Sequence, residues 1–185
     1  PEQAVFWYTK AAEQGLASAQ MDLGVCYSFG NGVKQSDTEA MKWFKKAADQ
    51  GYPRAQFAVG NCYQKGAGVP KNPEIAMEWI RRAADQGYAD AQLYLGICFL
   101  NGVDVPQNKE EGIALIRQAA QTGNPDAELF LGICYAKGNG VEENLSLSVQ
   151  WVHRAAEKGH APAQKWLGDC FTRGDGVLVN PAAAA

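Results

Sequence analysis

The chain has 185 residues, of which 46% are apolar and 20% are charged, proportions typical of a folded protein rather than a disordered one. Its 17 basic and 20 acidic residues give a net charge of −3, so the sequence offers no basic surface for nucleic acid. No apolar run approaches the roughly 18 residues that a membrane-spanning helix requires, and we therefore expect no membrane insertion.

Ten helices are predicted along the chain from apolar stripes of helical period and from the residues that begin and end each stripe. In chain order they cover 2–13, 18–29, 37–49, 54–65, 73–85, 90–100, 109–121, 126–137, 145–157 and 162–173. In the fourth helix, Val59 and Cys62 lie on the stripe, and Gly66 is placed to end the helix in the left-handed conformation. Pro73 suits the first turn of the fifth helix, where no N–H is needed.

The five cysteines stand 36 residues apart, and this spacing extends to many other residues. They are Cys26, Cys62, Cys98, Cys134 and Cys170. A glycine precedes each by two residues, and an Ala-Ala pair recurs with the same period, which predicts a single array of repeated structural units. The predicted units are 16–51, 52–87, 88–123, 124–159 and a partial unit at 160–185. Because residues 1–15 match the second helix of a unit, we expect further sequence before residue 1.

The third unit departs from the others at two positions. Tryptophan recurs at one position of the second helices, where we expect it to pack helix against helix, but the third unit has Leu115 there. The tryptophans are Trp7, Trp43, Trp79 and Trp151. Asp104 replaces a loop glycine that the other units carry as Gly32, Gly68, Gly140 and Gly176. Aspartate adopts positive φ more readily than most residues, so we predict an altered but intact loop.

Residues 16–51, "LASAQMDLGVCYSFGNGVKQSDTEAMKWFKKAADQG", resemble the Sel1-like repeat, a relative of the tetratricopeptide repeat, and the likeness extends over essentially the whole chain. The resemblance implies an all-α fold, a right-handed α/α solenoid of antiparallel helix pairs. It also implies use as an adaptor or scaffold for other proteins, without a shared catalytic site.

The recurring cysteine is interpreted as a core residue. In the cysteine-rich branch of the family that the chain resembles, two cysteines in each unit bridge its helix pair, whereas here each unit has one. Equivalent positions in stacked units lie about 10 Å apart, beyond the roughly 7 Å Cα separation of a disulfide. No CxxC pair or cysteine–histidine cluster indicates a metal site, since the histidines are only His153 and His160. We therefore predict five buried, unbridged and metal-free thiols.

Signatures of catalysis and of cofactor binding are not found in the sequence. It has no Walker loop, no G-x-S-x-G and no H-E-x-x-H, and its G-x-G pairs lie between predicted helices instead of after a strand. Five equivalent thiols are poor candidates for one nucleophile. We expect no enzymatic activity and no cofactor.

Exposed positions of the first helices do not follow the repeat, and such positions are free to serve a partner. One flank of each first helix is predicted to line the concave surface of the solenoid and to bind another protein or peptide. The candidate residues are Asp22, Tyr94, Ile97, Phe130, Ile133, Lys137, Trp166 and Arg173. Three aromatics in successive units, with cations at the rim, are typical of an interface. The alternative is that the aromatics pack against one another.

Three functions remain open from the sequence. The first is an interaction scaffold that binds a peptide or partner protein in its concave groove. The second is an immunity or inhibitor protein that blocks a toxin or effector. The third is an enzyme acting on a cell-wall or β-lactam-related substrate, against which the missing catalytic groups count. We expect a monomer or weak oligomer. Unpaired cysteines favour a reducing cytoplasm, with periplasmic and secreted locations still open.

Overall fold

The computed structural model describes residues 1–173, apart from the side chain of Arg173; Gly176 and the end of the last predicted unit lie outside the described residues. The described chain consists of helices joined by turns and loops, with no strand between residues 1 and 173. The helices are α1 (Glu2–Glu13), α2 (Ala17–Phe29), α3 (Asp37–Asp49), α4 (Pro53–Lys65), α5 (Pro73–Asp85), α6 (Ala89–Asn101), α7 (Lys109–Gln121), α8 (Pro125–Lys137), α9 (Leu145–Glu157) and α10 (Ala161–Arg173). The all-α prediction is confirmed.

The helix ends follow from local sequence. The side chain of Asn72 accepts a hydrogen bond from the backbone N–H of Ile75 at 3.1 Å, which satisfies one of the free donors at the start of α5. Gly66 ends α4 with φ 76°, in the left-handed region as predicted. Five predicted helices begin one residue too late, because their first helical residue, such as Pro53, was assigned to the loop.

By its internal contacts the chain forms two compact units, one over Pro1–Ala91 and the other from Gln92 onward. In the first unit, α1 packs against α2, α2 against α3, α3 against α4 and α4 against α5. A core cluster forms around Phe44, Val59 and Trp79, and a second around Val5 and Leu23. In the second unit, α7 packs against α8, α8 against α9 and α9 against α10.

Close helix contact explains four of the five glycines that precede a cysteine by two residues, namely Gly24, Gly60, Gly96 and Gly132. A Cβ at Gly132 in α8 would lie 2.5 Å from Cγ2 of Val152 and 2.9 Å from the carbonyl oxygen of Ser148 in α9. Gly60 faces Ile80 across the α4–α5 contact at the same 2.5 Å. Only a residue without a side chain allows the two helices of a pair to approach so closely.

The third predicted repeat, residues 88–123, keeps its loop although Asp104 replaces the glycine. Asp104 has φ 60°, beside 77° at Gly32, 73° at Gly68 and 74° at Gly140. The aspartate therefore reproduces the left-handed backbone of the glycines that it replaces, which confirms that the loop is altered and not broken.

The recurring tryptophans differ in burial more than their shared position predicts. Trp79 is buried in the core of the first unit, whereas Trp43 and Trp151 are half-buried. Trp7 is 68% exposed, so the prediction that it packs helix against helix is wrong. Trp79 has Lys45 of the preceding second helix, α3, over its ring.

Candidate interaction surface

An aromatic residue occupies one equivalent position in each first helix of the second unit: Tyr94 in α6, Phe130 in α8 and Trp166 in α10. Together with Ile97 and Ile133, three residues further along α6 and α8, they form what we call the aromatic face. All five side chains are half-buried. They are thus neither sealed inside the core, as pure packing residues would be, nor fully solvated.

Part of the aromatic face also supports the fold. Trp166 packs against the cluster of buried residues that contains Val152 and Leu167. Tyr94 hydrogen-bonds to Cys98, one helical turn further along α6. Loss of Trp166 would therefore remove core contacts as well as exposed surface.

The charged candidates fall in separate places. Lys137 is exposed at the end of α8, in the unit that carries the aromatic face. Asp22 belongs to the first unit, where its carboxylate lies 3.6 Å from the guanidinium of Arg54. The side chain of Arg173 lies outside the described residues. Asp22 thus shares a repeat position with the residues of the aromatic face, but its charged neighbour is Arg54 of the first unit.

The structure separates the five cysteines by burial. All are free thiols. Cys26, Cys98 and Cys134 are buried, but the prediction of burial is wrong for Cys62 and Cys170, which are half-buried. Cys62 lies at the margin of a core cluster, and Cys170 lies in α10, the last described helix. Residues 1–173 contain no group of three or more His, Cys, Asp or Glu side chains that could hold a metal ion.

Desolvation governs the acidity of the thiols. Burial, followed by the charge of Asp37, raises the pKa of Cys62 to about 11, and burial raises the pKa of Cys134 to about 11 although Lys137 opposes it. Burial also raises the pKa of Cys26 and of Cys98. These four thiols are therefore protonated at neutral pH, the opposite of what a nucleophilic cysteine requires.

A part-buried polar contact recurs in the α2–α3 and α4–α5 pairs and was missed from the sequence. Nε2 of Gln50 donates to Oε1 of Gln20 at 2.7 Å, and Gln86 repeats the contact with Gln56 at 2.7 Å. The side chain of Gln20 also donates to the carbonyl oxygen of Ala12 in α1, at 3.1 Å. Glutamine at a buried position with the period of the repeat was the signal that could have revealed this contact.

The α8–α9 pair replaces the two amides by charged groups. Glu128 stands at the glutamine position with no exposed surface, and Lys158 stands opposite. Nζ of Lys158 lies 2.8 Å from both carboxylate oxygens, and Arg154 lies 3.2 Å from Oε1. The guanidinium of Arg154 also covers the ring of Trp151, at 4.5 Å from its centroid. Two cations thus neutralise one fully buried carboxylate.

The described helices carry no segment long and apolar enough to cross a membrane. The profile of the Sel1 repeat matches six consecutive segments that together cover the chain, at residues 1–16, 17–52, 53–88, 89–124, 125–160 and 161–185. The chain belongs to the Sel1 repeat family. Its paired helices, recurring glycines and left-handed loop residues are the features by which each Sel1 repeat packs.

Solved structures of Sel1 repeat proteins resemble the chain closely. A Sel1 repeat protein from Oxalobacter formigenes is 40% identical with a TM-score of 0.80, over 91% of this chain and 49% of that one. The protective antigen c5321 of uropathogenic Escherichia coli, which has the same repeat fold, is 36% identical with a TM-score of 0.80, over 98% of this chain and 39% of that one. The chain thus spans half or less of either relative.

A more distant likeness concerns the fold alone. The immunity protein Pa5087 of Pseudomonas aeruginosa is 24% identical with a TM-score of 0.66, over 88% of this chain and 60% of that one. No curated protein matches the chain in a sequence comparison.

Proposed function

We propose that this Sel1 repeat chain is an interaction scaffold or adaptor that binds a peptide or a partner protein through the aromatic face, with Lys137 at its rim. The Sel1 repeat fold is consistent with protein–protein interaction as the class of function. The aromatic face supports the finer proposal, because aromatic residues are enriched at protein interfaces, and tyrosine and tryptophan are enriched among the residues that dominate binding energy there.

One contrast carries the proposal. The position that holds Tyr94, Phe130 and Trp166 in the second unit holds Asp22 and Ala58 in the first. Since Asp22 and Ala58 serve the same structural position without a ring, packing of a repeat does not require an aromatic residue there. The surface that these aromatic side chains expose therefore supports a role in binding a partner, at the cost in solubility that exposed apolar surface brings.

Phe130 is the residue to test, because Trp166 also contributes to the core. The partner is first captured from the host of the protein, identified by mass spectrometry and produced in pure form. We expect Phe130→Ala to raise its dissociation constant by about 30-fold, since losing an aromatic residue that dominates an interface costs about 2 kcal/mol. Calorimetric titration measures this, and circular dichroism checks that the variant remains folded.

Phe171→Ala supplies the matched control, because Phe171 is an aromatic residue of the same unit, 63% exposed and outside the aromatic face. Its dissociation constant should change by less than about threefold, equivalent to about 0.5 kcal/mol. Equal effects of the two variants, or undiminished binding by a folded Phe130→Ala chain, would place the partner elsewhere.

A second candidate is an immunity or inhibitor role. It is supported by the fold that the chain shares with the immunity proteins Pa5087 and PA5088 of Pseudomonas aeruginosa, both 24% identical to it. The captured partner distinguishes the two roles: an inhibitor should abolish the activity of its partner at a one-to-one ratio, whereas an adaptor should leave that activity intact.

A further inference from the structure

A second group of side chains outside the repeat pattern lies in the first unit, around the N-terminal ends of α4 and α6. It consists of Asp22, Tyr52, Arg54, Phe57, Tyr88 and Asp90, which we call the Tyr88 cluster. The hydroxyl of Tyr88 donates to Oδ2 of Asp90 at 2.9 Å, and its ring lies 5.6 Å from that of Phe57 at an interplanar angle of 57°. This geometry holds two aromatic rings and a carboxylate together.

Arg54 connects the remaining members. Its guanidinium lies 3.6 Å from Oδ1 of Asp22. Burial and the hydrogen bond to Asp90 raise the pKa of Tyr88 to about 12, Arg54 lowers it, and Tyr52 adds a smaller rise. Arg54 thus acts electrostatically on the Tyr88 hydroxyl as well as pairing with Asp22.

The repeat does not require these residues. Arg54, Phe57 and Tyr88 correspond, 72 residues later in the second unit, to Asp126, Leu129 and His160, which differ from them in charge or shape. The second unit folds with those different residues at the same positions. Tyrosine and arginine, moreover, are enriched among the residues that dominate interfaces.

The charges of the cluster favour a cationic ligand. The six named residues include two carboxylates and one guanidinium, so their formal charges sum to −1. The ion pair of Arg54 and Asp22 is long, and the side chains are 48% and 39% exposed, a setting in which such a pair contributes little stability. A second cation can therefore compete for Asp22, while aromatic faces attract the same kind of group.

We propose that the Tyr88 cluster is a binding site for a basic segment of a partner protein, distinct from the aromatic face of the second unit. A lysine or arginine side chain of the partner takes the carboxylates of Asp22 and Asp90 as counterions and lays its alkyl stem against the rings of Phe57 and Tyr88. Long basic side chains bind in this way because their stems are apolar and only their ends are charged.

The test uses a fluorescein-labelled peptide of alternating glycine and lysine, titrated with the 185-residue chain at low salt and followed by fluorescence anisotropy. We expect saturable binding that weakens by about fivefold in the double variant Asp22→Asn/Asp90→Asn, which loses two exposed charge contacts. A peptide of alternating glycine and glutamate should bind more weakly than the lysine peptide.

The control double variant Asp49→Asn/Asp85→Asn removes the same charge from exposed positions on α3 and α5 of the same unit. It should bind the lysine peptide like the unaltered chain, and so should Phe130→Ala, whose change lies in the aromatic face. Equal weakening in both double variants would mean diffuse attraction to an acidic protein. That result, a preference for the glutamate peptide, or absence of saturation would overturn the proposal.

Discussion

Lys158, at the end of α9, pairs with the buried carboxylate of Glu128 in α8. Its Nζ lies 2.8 Å from each carboxylate oxygen and 2.8 Å from the carbonyl oxygen of Gly123. Gln20 and Gln50 meet at the equivalent place in the α2–α3 pair. The same junction is thus made by two neutral amides in one helix pair and by opposite charges in another.

Removing only one of the two charges should destabilise the fold strongly. Lys158→Gln leaves Glu128 with Arg154 as its one charged neighbour among the described contacts, and we expect a loss of about 3 kcal/mol in the free energy of unfolding. The double variant Glu128→Gln/Lys158→Gln recreates the Gln20–Gln50 contact, and its free energy of unfolding should lie within about 1 kcal/mol of that of the unaltered chain. Urea denaturation followed by circular dichroism measures this free energy for the unaltered chain and for both variants.

Lys165→Gln is the control for this experiment, since Lys165 pairs with Asp169 on the surface of α10. It should change stability by less than about 0.5 kcal/mol. If the double variant is as unstable as Lys158→Gln alone, the charged pair is not a substitute for the two amides.

Alanine should have opposite effects at two equivalent glycines. Gly132→Ala forces a Cβ to within 2.5 Å of Val152, and such overpacking should cost about 1–3 kcal/mol. At Gly168 in α10 a Cβ meets nothing within 4 Å among the described residues, so Gly168→Ala should gain about 0.5–1 kcal/mol from its higher helix propensity. The melting temperature, measured in the same buffer, should fall in Gly132→Ala and rise in Gly168→Ala relative to the unaltered chain. Shifts of the same sign in both variants would contradict this expectation.

Cys62 should react slowly although it is only half-buried. A rise in pKa from 9.0 to about 11 lowers the thiolate fraction at pH 8 by about 100-fold, and the greater nucleophilicity of the more basic thiolate recovers about tenfold. We therefore expect iodoacetamide to alkylate Cys62 about tenfold more slowly in the folded chain than in urea.

Peptide mass spectrometry after timed quenching gives the alkylation rate of each cysteine. Since the raised pKa withholds the thiolate, the rate at Cys62 should keep increasing with pH until about pH 11, whereas in urea it should level off near pH 9. Equal rates at pH 8 in the folded and denatured chains would contradict the expected protection.

The left-handed backbone at Asp104 should tolerate glycine but not a β-branched residue. Asp104→Gly suits the observed φ of 60° and should alter the free energy of unfolding by less than about 1 kcal/mol. Asp104→Val places a β-branched side chain in the left-handed region and should cost about 2 kcal/mol. Chemical denaturation distinguishes the two, with Asp104→Asn as a control for charge alone; equal losses with glycine and valine would show that the backbone is not the cause.

The sequence predicted the helices well because each repeat supplies the same evidence again. Five copies of the glycine before each cysteine, and the left-handed residue after α4, defined the helix pairs without any knowledge of their neighbours. Burial was predicted less well, since it depends on what lies beyond a residue's own unit. Cys62 and Trp7 share their repeat positions with Cys134 and Trp79 but not the same surroundings.

The candidate site could be predicted only in part for the same physical reason. Helical phase identified the half-buried face of Tyr94 and Phe130, but it could not show that Trp166 packs on the core or that Asp22 pairs with Arg54. Those contacts depend on side-chain positions in three dimensions. The part-buried Gln20–Gln50 contact escaped prediction because it is polar, and hydrophobic periodicity does not register a buried polar residue such as Gln20.

The charged junction within residues 125–160, the fifth of the six matched segments, restricts how this gene can recombine. A crossover that exchanges helices between the α2–α3 and α4–α5 pairs brings one glutamine against another, so donors and acceptors still match. A crossover between α8 and α9 would instead leave Glu128 facing an inherited amide, or Lys158 without its carboxylate. Residues 125–160 must therefore be inherited as one block, and repeats built for new proteins should be cut outside it.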